Sequence, residues 1–214
     1  MDNNRPEAVP PCACRDQDRI MTFTPQPHLE RRLAGMVASS NELMAALDAV
    51  RFLGLQSWCI GAGAVRSLVW DALHGFERRT VVEDMDLVYF DADAEPENDV
   101  ELEKRLCSAM PEVRWEVTNQ AGVHRWFARD LGQAVPPIKS LADGIATWPE
   151  FATCVGVFLN WDESLGVIAP HGLDDLFNLR VRHNPLRASV EIYRQRIEAK
   201  RFAERWPLLS ISMG

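Results

Sequence analysis

The sequence predicts an α/β fold, and three observations support that prediction. Short apolar segments alternate with stretches of helical periodicity in the order β-α-β-α-β over residues 58–118. A further pair of strands and two helices follow this region. With 214 residues, of which 47% are hydrophobic and 25% charged, the chain can bury the core of one globular domain. We therefore expect one domain over residues 28–214, with a sheet flanked by helices.

The N-terminal segment, residues 1–27, is expected to be a disordered leader, because proline stands there among polar and charged residues without periodicity. Two helices follow it. Apolar residues at helical spacing mark the first helix, over residues 29–37. Ser39 and Glu42 form a capping box that opens the second helix, which ends near Gly54.

The alternating elements begin at residue 58. A short apolar strand, residues 58–60, leads through a glycine turn into a helix that ends at Gly75. The second strand covers residues 81–90. A helix near residues 102–110 separates it from the third strand, residues 114–118.

The C-terminal half carries the remaining elements. A short helix lies within residues 140–149, between a serine cap and a proline. Two strands, residues 153–159 and 166–169, are joined by a polar turn. Two helices close the chain, one at residues 173–179 and one at residues 189–206.

The charge balance narrows the choice of partners. Acidic residues outnumber basic ones by 31 to 23, and the formal net charge of −8 disfavours non-specific binding to long DNA or RNA. A small, metal-bound substrate suits this balance better. No run approaches the roughly 18 apolar residues of a membrane helix, and the N-terminus lacks the apolar core of a signal peptide. We therefore expect a soluble protein without a membrane partner.

The five cysteines favour a reducing, cytoplasmic compartment, since their number is odd. Cys59, Cys107 and Cys154 stand in apolar surroundings typical of reduced core thiols. Cys12 and Cys14 have no second pair at zinc spacing, so the sequence does not predict a metal site there.

Paired carboxylates open the second strand. Asp84 and Asp86 project from the same face of an extended strand, because side chains alternate with period two. They can grip one divalent cation or bridge two, and hard oxygen ligands select Mg²⁺ or Mn²⁺. An isolated Asp-x-Asp is more often a pair of solvated acids. Here the pair begins an apolar strand, residues 87–90, where the two charges repel unless a cation compensates them. Glu116 in the third strand could complete the site, act as a general base, or pair with an arginine.

The glycine turn after the first strand is a candidate phosphate cradle. Gly61 and Gly63 let the backbone approach an anion at a helix N-terminus, and Arg66 and Ser67 in the first helical turn could reach the same anion. Close helix–strand packing is the alternative role of such glycines. The turn lacks the ending of a P-loop and the third glycine of a dinucleotide fingerprint.

Other polar residues have structural interpretations that are at least as strong. Asn119 is a candidate nucleotide contact, together with Gln120, although amides after a strand often satisfy a turn's backbone. Asp174 and Asp175 fit a helix N-terminus, where carboxylates meet the dipole favourably. One tryptophan could stack on a base. A basic run on the last helix is expected to be a solvated face, with a contact to RNA or an acidic partner as the alternative: Arg194, Arg196, Lys200, Arg201 and Arg205.

Taken together, these motifs resemble the DNA polymerase β-like nucleotidyltransferase superfamily, with its glycine turn, paired acids and third acid. More closely, the chain is similar to a bacterial nucleotidyltransferase-like family of that superfamily, over about residues 42–207. Two positions depart from the pattern: Ala62 precedes Gly63 where glycine pairs or Gly-Ser are common, and Asp71 stands where asparagine is expected. The similar blocks are residues 62–66, 69–71, 84–91, 115–121 and 169–177.

The resemblance implies a mixed sheet backed by helices and a catalytic site at adjacent strand ends. It implies that Asp84 and Asp86 bridge two Mg²⁺ ions and that Glu116 holds the ion that activates an acceptor hydroxyl. A nucleoside triphosphate would be the donor, its phosphates steadied by Gly63, Arg66 and Ser67. The acceptor is open between a small molecule, a protein and an RNA end. Two alternatives stay open, namely an inactive nucleotide-binding module and a metal-stabilised structural domain.

Overall fold

The computed structural model describes residues 26–125 and 135–214. Almost all of the predicted leader therefore lies outside the described residues. At its end, the side-chain oxygen of Gln26 accepts a hydrogen bond from the backbone N–H of Leu173, 3.0 Å away, and the first helix begins at Pro27.

Two N-terminal helices form where the apolar periodicity predicts them, as α1 (Pro27–Ala38) and α2 (Asn41–Arg51). The predicted cap is wrong by one residue. Ser40, not Ser39, caps α2, since its hydroxyl accepts from the backbone N–H of Leu43 at 3.4 Å. The Ser39 hydroxyl instead donates to a carbonyl of the last turn of α1, 2.9 Å away.

Five strands form one mixed sheet, which confirms the predicted fold class. The strand order is β3-β2-β1-β4-β5. β2 and β3 run parallel, and the other neighbouring pairs run antiparallel. The strands are β1 (Trp58–Gly61), β2 (Met85–Tyr89), β3 (Trp115–Asn119), β4 (Gly156–Leu159) and β5 (Leu165–Ile168).

The helices confirm the β-α-β-α-β order and add detail at the C-terminus. The last predicted helix is broken in two at Arg201, which has a left-handed backbone with φ 51°. Two short parallel strands, β6 (Arg180–Val181) and β7 (Ser210–Ile211), were not predicted because two residues carry no periodicity. The remaining helices are α3 (Ala62–His74), α4 (Asn98–Ala109), α5 (Leu141–Ala146), α6 (Asp174–Phe177), α7 (Val190–Lys200) and α8 (Phe202–Arg205).

The two faces of the sheet are buried to different extents. One face contributes Trp58, Ile60 and Leu87 to the main core, together with residues of α1 to α4. The other face has a smaller cluster, in which Cys59 and Val88 contact residues of α5. Since side chains alternate along a strand, Asp84 and Asp86 share the less covered face with Val88.

The described cysteines are free thiols, and two of the three are buried as expected. Burial raises the pKa of Cys59, and it raises the pKa of Cys154 to about 12. The expectation for Cys107 was wrong, because this residue is exposed on α4, whose inward face is formed by Leu102 and Leu106. None of the helices in the described ranges has the length and apolar character needed to cross a bilayer.

Candidate active site

The predicted acids converge on one cavity. Asp84 directly precedes β2 and Asp86 lies within it, while the parallel register sets Glu116 of β3 opposite Asp86. All three line a cavity of about 270 Å³ at this end of the sheet. We call these residues the acidic wall. As placed, no three Asp, Glu, His or Cys side chains of the described ranges form a group compact enough to hold a metal ion.

The environment of Asp86 disfavours the ionised form of its carboxyl group. Burial raises the pKa of its carboxyl to about 6, and the negative charge of Glu116 adds to this effect. A backbone hydrogen bond from Gly63 opposes the shift. A carboxylate in this environment is stabilised by a nearby cation.

Asp84 and Glu116 differ in their partners. The Nε atom of Arg114 lies 3.0 Å from Oδ1 of Asp84, so the ion pair considered for Glu116 forms at Asp84 instead. That oxygen is buried and lacks a hydrogen bond of good geometry. No described lysine or arginine forms an ion pair with Glu116, which is exposed at the edge of the sheet.

These oxygens fit a hard divalent cation. Carboxylates are the side chains that Mg²⁺ and Mn²⁺ prefer. The ion pair that Oδ1 of Asp84 forms with Arg114 and the raised pKa of Asp86 both mark places where positive charge is favourable. The acidic wall thus supplies the type of ligand that holds such an ion, although its three carboxylates are not compact enough to do so as placed.

The two glycines of the turn have different roles. Gly63 lines the cavity and contacts Asp86 through its backbone. Gly61 is absent from the cavity lining, and a Cβ atom there would lie 2.6 Å from the ring of Trp148. Gly61 thus serves close packing against Trp148, whereas the position of Gly63 is compatible with a phosphate in the cavity. Between them, Ala62 adopts a left-handed backbone with φ 46°, a conformation that glycine adopts more easily.

Arg66 is a buried cation aimed into the cavity. Its side chain is only 4% exposed, and its guanidinium lies 4.8–5.5 Å from the ring centroids of Trp70, Phe202 and Trp206. Its Nε atom has no hydrogen-bond partner. Burial lowers the pKa of Arg66 to about 10, so the group stays charged at neutral pH. Ser67 is also buried against the cavity, and both residues lie in the second turn of α3, not in the first.

Asn119 does not line the cavity. Its side-chain oxygen accepts from the backbone N–H groups of Asp91 and Ala121, each 3.1 Å away, and its side-chain nitrogen donates to the Asp91 carbonyl at 2.7 Å. Alternation along β3 explains the placement, because Asn119 lies on the face opposite to Glu116. Gln120, the other candidate amide, is buried and lines the cavity.

Three basic residues of the C-terminal helices also line the cavity, which sequence reasoning missed. They are Arg196 and Lys200 of α7 and Arg205 of α8. Part of the signal was present, because Arg196 and Lys200 follow the buried Tyr193 at helical spacings of three and seven, which sets them on its face of the helix but does not place that face at the cavity. We call these three residues and Arg66 the cationic wall.

Buried acids hold the cationic wall in place. Glu150 is fully buried, and its Oε1 accepts from Nε of Arg196 at 2.7 Å. Asp71 is likewise buried and accepts from Nε1 of Trp206 at 2.7 Å, while its other oxygen accepts from the backbone N–H of Thr80 at 2.6 Å. The unexpected aspartate at position 71 thus fastens the end of α8 to α3.

The remaining candidates lie elsewhere. Asp175 sits in the first turn of α6 and forms ion pairs with Arg180 and Arg182, at 3.2 and 2.8 Å. Asp174 accepts a hydrogen bond from Gln26. Neither aspartate lines the cavity, and the contacts that both make are with structural partners. Among the described tryptophans, Trp148 is the one at the cavity.

The mixed sheet, with paired acids facing a glycine turn, has the features that the resemblance to nucleotidyltransferases implies. The chain belongs to the nucleotidyltransferase family, whose model matches residues 48–211. It is therefore an enzyme of the transferase type.

Solved structures are similar to the chain over most of its length. A structure determined by NMR and described as a CCA-adding enzyme head domain is 29% identical, with a TM-score of 0.73 over 86% of this chain and 95% of that one. A tRNA nucleotidyltransferase complexed with a primer tRNA and an incoming ATP analog is 20% identical, with a TM-score of 0.47, over 78% of this chain and 46% of that one. A tRNA-processing enzyme with CTP is 20% identical, with a TM-score of 0.45, over 78% and 43%. The chain thus spans less than half of these two longer proteins. No curated protein matches it.

Proposed function

We propose that the protein transfers a nucleoside monophosphate from a nucleoside triphosphate to an acceptor hydroxyl, with release of pyrophosphate, in the presence of Mg²⁺. The observation that carries the proposal is the arrangement of one cavity, in which the acidic wall faces the cationic wall. Carboxylates suit a divalent cation, and arginine and lysine suit the phosphates of the donor.

Asp84 and Asp86 would hold the metal ion, with Glu116 as the third ligand. Bound there, a divalent cation would neutralise charge on the phosphates and lower the pKa of the acceptor hydroxyl. Glu116 is exposed at the sheet edge, so the acceptor would enter from that side.

Residues of the turn and of α3 would position the donor. The acceptor oxygen forms a bond to the α-phosphorus while the bond to the pyrophosphate oxygen breaks. Arg66 is charged, buried and fixed by three aromatic rings, so it is preorganised to stabilise the charge that moves onto the leaving group. Ser67 and the backbone of Gly63 border the same space.

The acceptor is the open part of the reaction. The match to a CCA-adding enzyme head domain makes an RNA end the first acceptor to test. A small molecule or a protein hydroxyl is the next choice, since the net charge of −8 does not favour long nucleic acids.

An inactive nucleotide-binding module is the second candidate. It is favoured by the spacing of the acids, which do not form a compact three-residue group in the described ranges. It predicts nucleotide binding that depends on Arg66 without any pyrophosphate release.

The decisive experiment follows pyrophosphate release from ATP, GTP, CTP and UTP with Mg²⁺ and candidate acceptors. Asp86→Asn should reduce turnover about a hundredfold or more, because it removes a carboxylate from the reacting centre. Asp93→Asn is the matched control, since this exposed acid follows the other end of β2. Equal activity of the two variants, or turnover that survives EDTA, would refute the metal-dependent mechanism. Triphosphate binding with no release for any acceptor would favour the inactive module.

A further inference from the structure

Glu83 connects two residues of the cationic wall. Its Oε2 lies 3.4 Å from Nζ of Lys200, and its Oε1 lies 3.5 Å from Nη1 of Arg205. All three residues line the cavity, yet the Glu83 side chain is 60% exposed. One exposed carboxylate thus occupies the space between two cations at the cavity surface.

The cationic wall has more positive charge than its own acids neutralise. No described carboxylate forms an ion pair with Arg66. Burial lowers the pKa of Arg66, the nearby charge of Glu150 raises it, Arg196 and Arg205 lower it, and Asp86 raises it. Glu150 is already engaged by Arg196. A buried cation with a free Nε atom, close to two further cations, is an environment suited to a multivalent anion.

Other basic residues near the C-terminus of the chain, on the outward face of α7 and α8, have partners outside the cavity. Arg194 donates to the carbonyl of Met213 at 3.0 Å, and Arg201 pairs with Glu204. Neither residue lines the cavity. Arg66, Arg196, Lys200 and Arg205 therefore lie together around a space of about 270 Å³, whereas Arg194 is the outward-facing cation for which no described carboxylate forms an ion pair. This concentration of positive charge in one small space favours a compact anion over an RNA backbone.

We propose that Lys200 and Arg205 bind the polyphosphate tail of the nucleotide, and that the Glu83 carboxylate occupies this subsite until the phosphates displace it. The inference rests on the proposed function, whose donor is a nucleoside triphosphate. In the free protein, Glu83 pairs with Lys200 and Arg205. In the nucleotide-bound protein, the more highly charged phosphates take its place, so both cations keep an anionic partner.

Calorimetric titration of sodium tripolyphosphate in EDTA tests this subsite without metal or transfer. Lys200→Ala and Arg205→Ala should each weaken binding about tenfold, through loss of a charge-assisted contact. Glu83→Gln should tighten binding about threefold, because the competing anion is removed. Arg194→Ala and Glu204→Gln are matched controls on the outward face and should bind like the wild type.

The outcomes separate this inference from the proposed reaction. Loss of binding in Lys200→Ala and a gain in Glu83→Gln support it, even where no acceptor yields pyrophosphate. Absence of tripolyphosphate binding by the wild type, or equal affinities in the cavity variants and their controls, overturns it. It is also overturned if Lys200→Ala weakens binding of a short RNA but leaves that of tripolyphosphate unchanged. Turnover that depends on Asp86 would still leave the proposed function standing in either case.

Discussion

The two walls of the cavity are stabilised in opposite ways. In the acidic wall, like charges face one another, and both burial and Glu116 raise the pKa of Asp86. In the cationic wall, the fold supplies contacts to every cation, although the positive charge exceeds that of the two carboxylates: Arg66 has aromatic rings, Arg196 has a buried glutamate, and Lys200 and Arg205 share Glu83. Apart from the ion pair of Asp84 with Arg114, the acidic wall therefore has like charges close together, whereas the fold itself holds the cationic wall.

The two walls should therefore respond differently when one of their charged residues is substituted. Acids that repel one another destabilise the free protein, so removing one should stabilise it while abolishing function. Cations fixed by buried partners are part of the packing, so disturbing their partners should destabilise it. Variants of the two walls should thus change stability with opposite sign.

The largest effect is expected for Glu150→Gln. Glu150 is fully buried, and it accepts from Arg196 at 2.7 Å and from the Thr153 hydroxyl at 2.9 Å. Loss of its charge leaves Arg196 without an ionic partner, which should lower the free energy of unfolding by about 3 kcal/mol. Urea denaturation measures this change.

Glu198→Gln provides the control for that measurement. Glu198 is exposed on α7, and its substitution should change stability by less than about 0.5 kcal/mol. Equal stability of the two variants would show that the cationic wall does not depend on its buried acid.

The opposite sign is expected for Asp86→Asn in the absence of metal. The pKa of Asp86 is raised from 3.8 to about 6 in the folded protein, so the folded state binds the proton more tightly than the unfolded state. The resulting destabilisation is complete above about pH 6 and disappears below about pH 4. The variant should therefore exceed the wild type by up to about 2 kcal/mol at pH 8, after allowance for partial solvation.

Unfolding in EDTA at pH 8 and at pH 4.5 tests this sign. The difference between the two proteins should shrink as the pH falls. A difference that does not vary with pH, or a less stable variant at pH 8, would contradict the account of the acidic wall.

Strand periodicity predicted one part of the acidic wall, because alternation sets Asp84 and Asp86 on one face. The position of Glu116 beside them followed from the family resemblance, since periodicity alone does not say which strands are neighbours. The same rule would have excluded Asn119, which lies an odd number of residues from Glu116 and therefore on the opposite face.

The cationic wall could not be predicted in the same way. Helical spacing sets Arg196 and Lys200 on the inward face of α7, but basic residues on a helix normally face solvent. Their role depends on α7 and α8 lying over the end of β2, and no local pattern encodes that placement. The sequence also does not predict the helix break at Arg201. A left-handed backbone is usually found at glycine, and arginine does not indicate it.

The smallest expected effect concerns the turn where β1 meets α3. Gly61→Ala should destabilise the protein by about 1–2 kcal/mol, because the new Cβ would lie 2.6 Å from Trp148 and 3.1 Å from the carbonyl oxygen of Val155. Gly63→Ala should be neutral or slightly stabilising, since its Cβ would meet only ordinary contacts at 3.7 and 3.8 Å. Thermal unfolding of the two variants measures the contrast. Equal destabilisation of both would mean that Gly63 also serves packing, and the turn would then belong to the scaffold and not to the cavity.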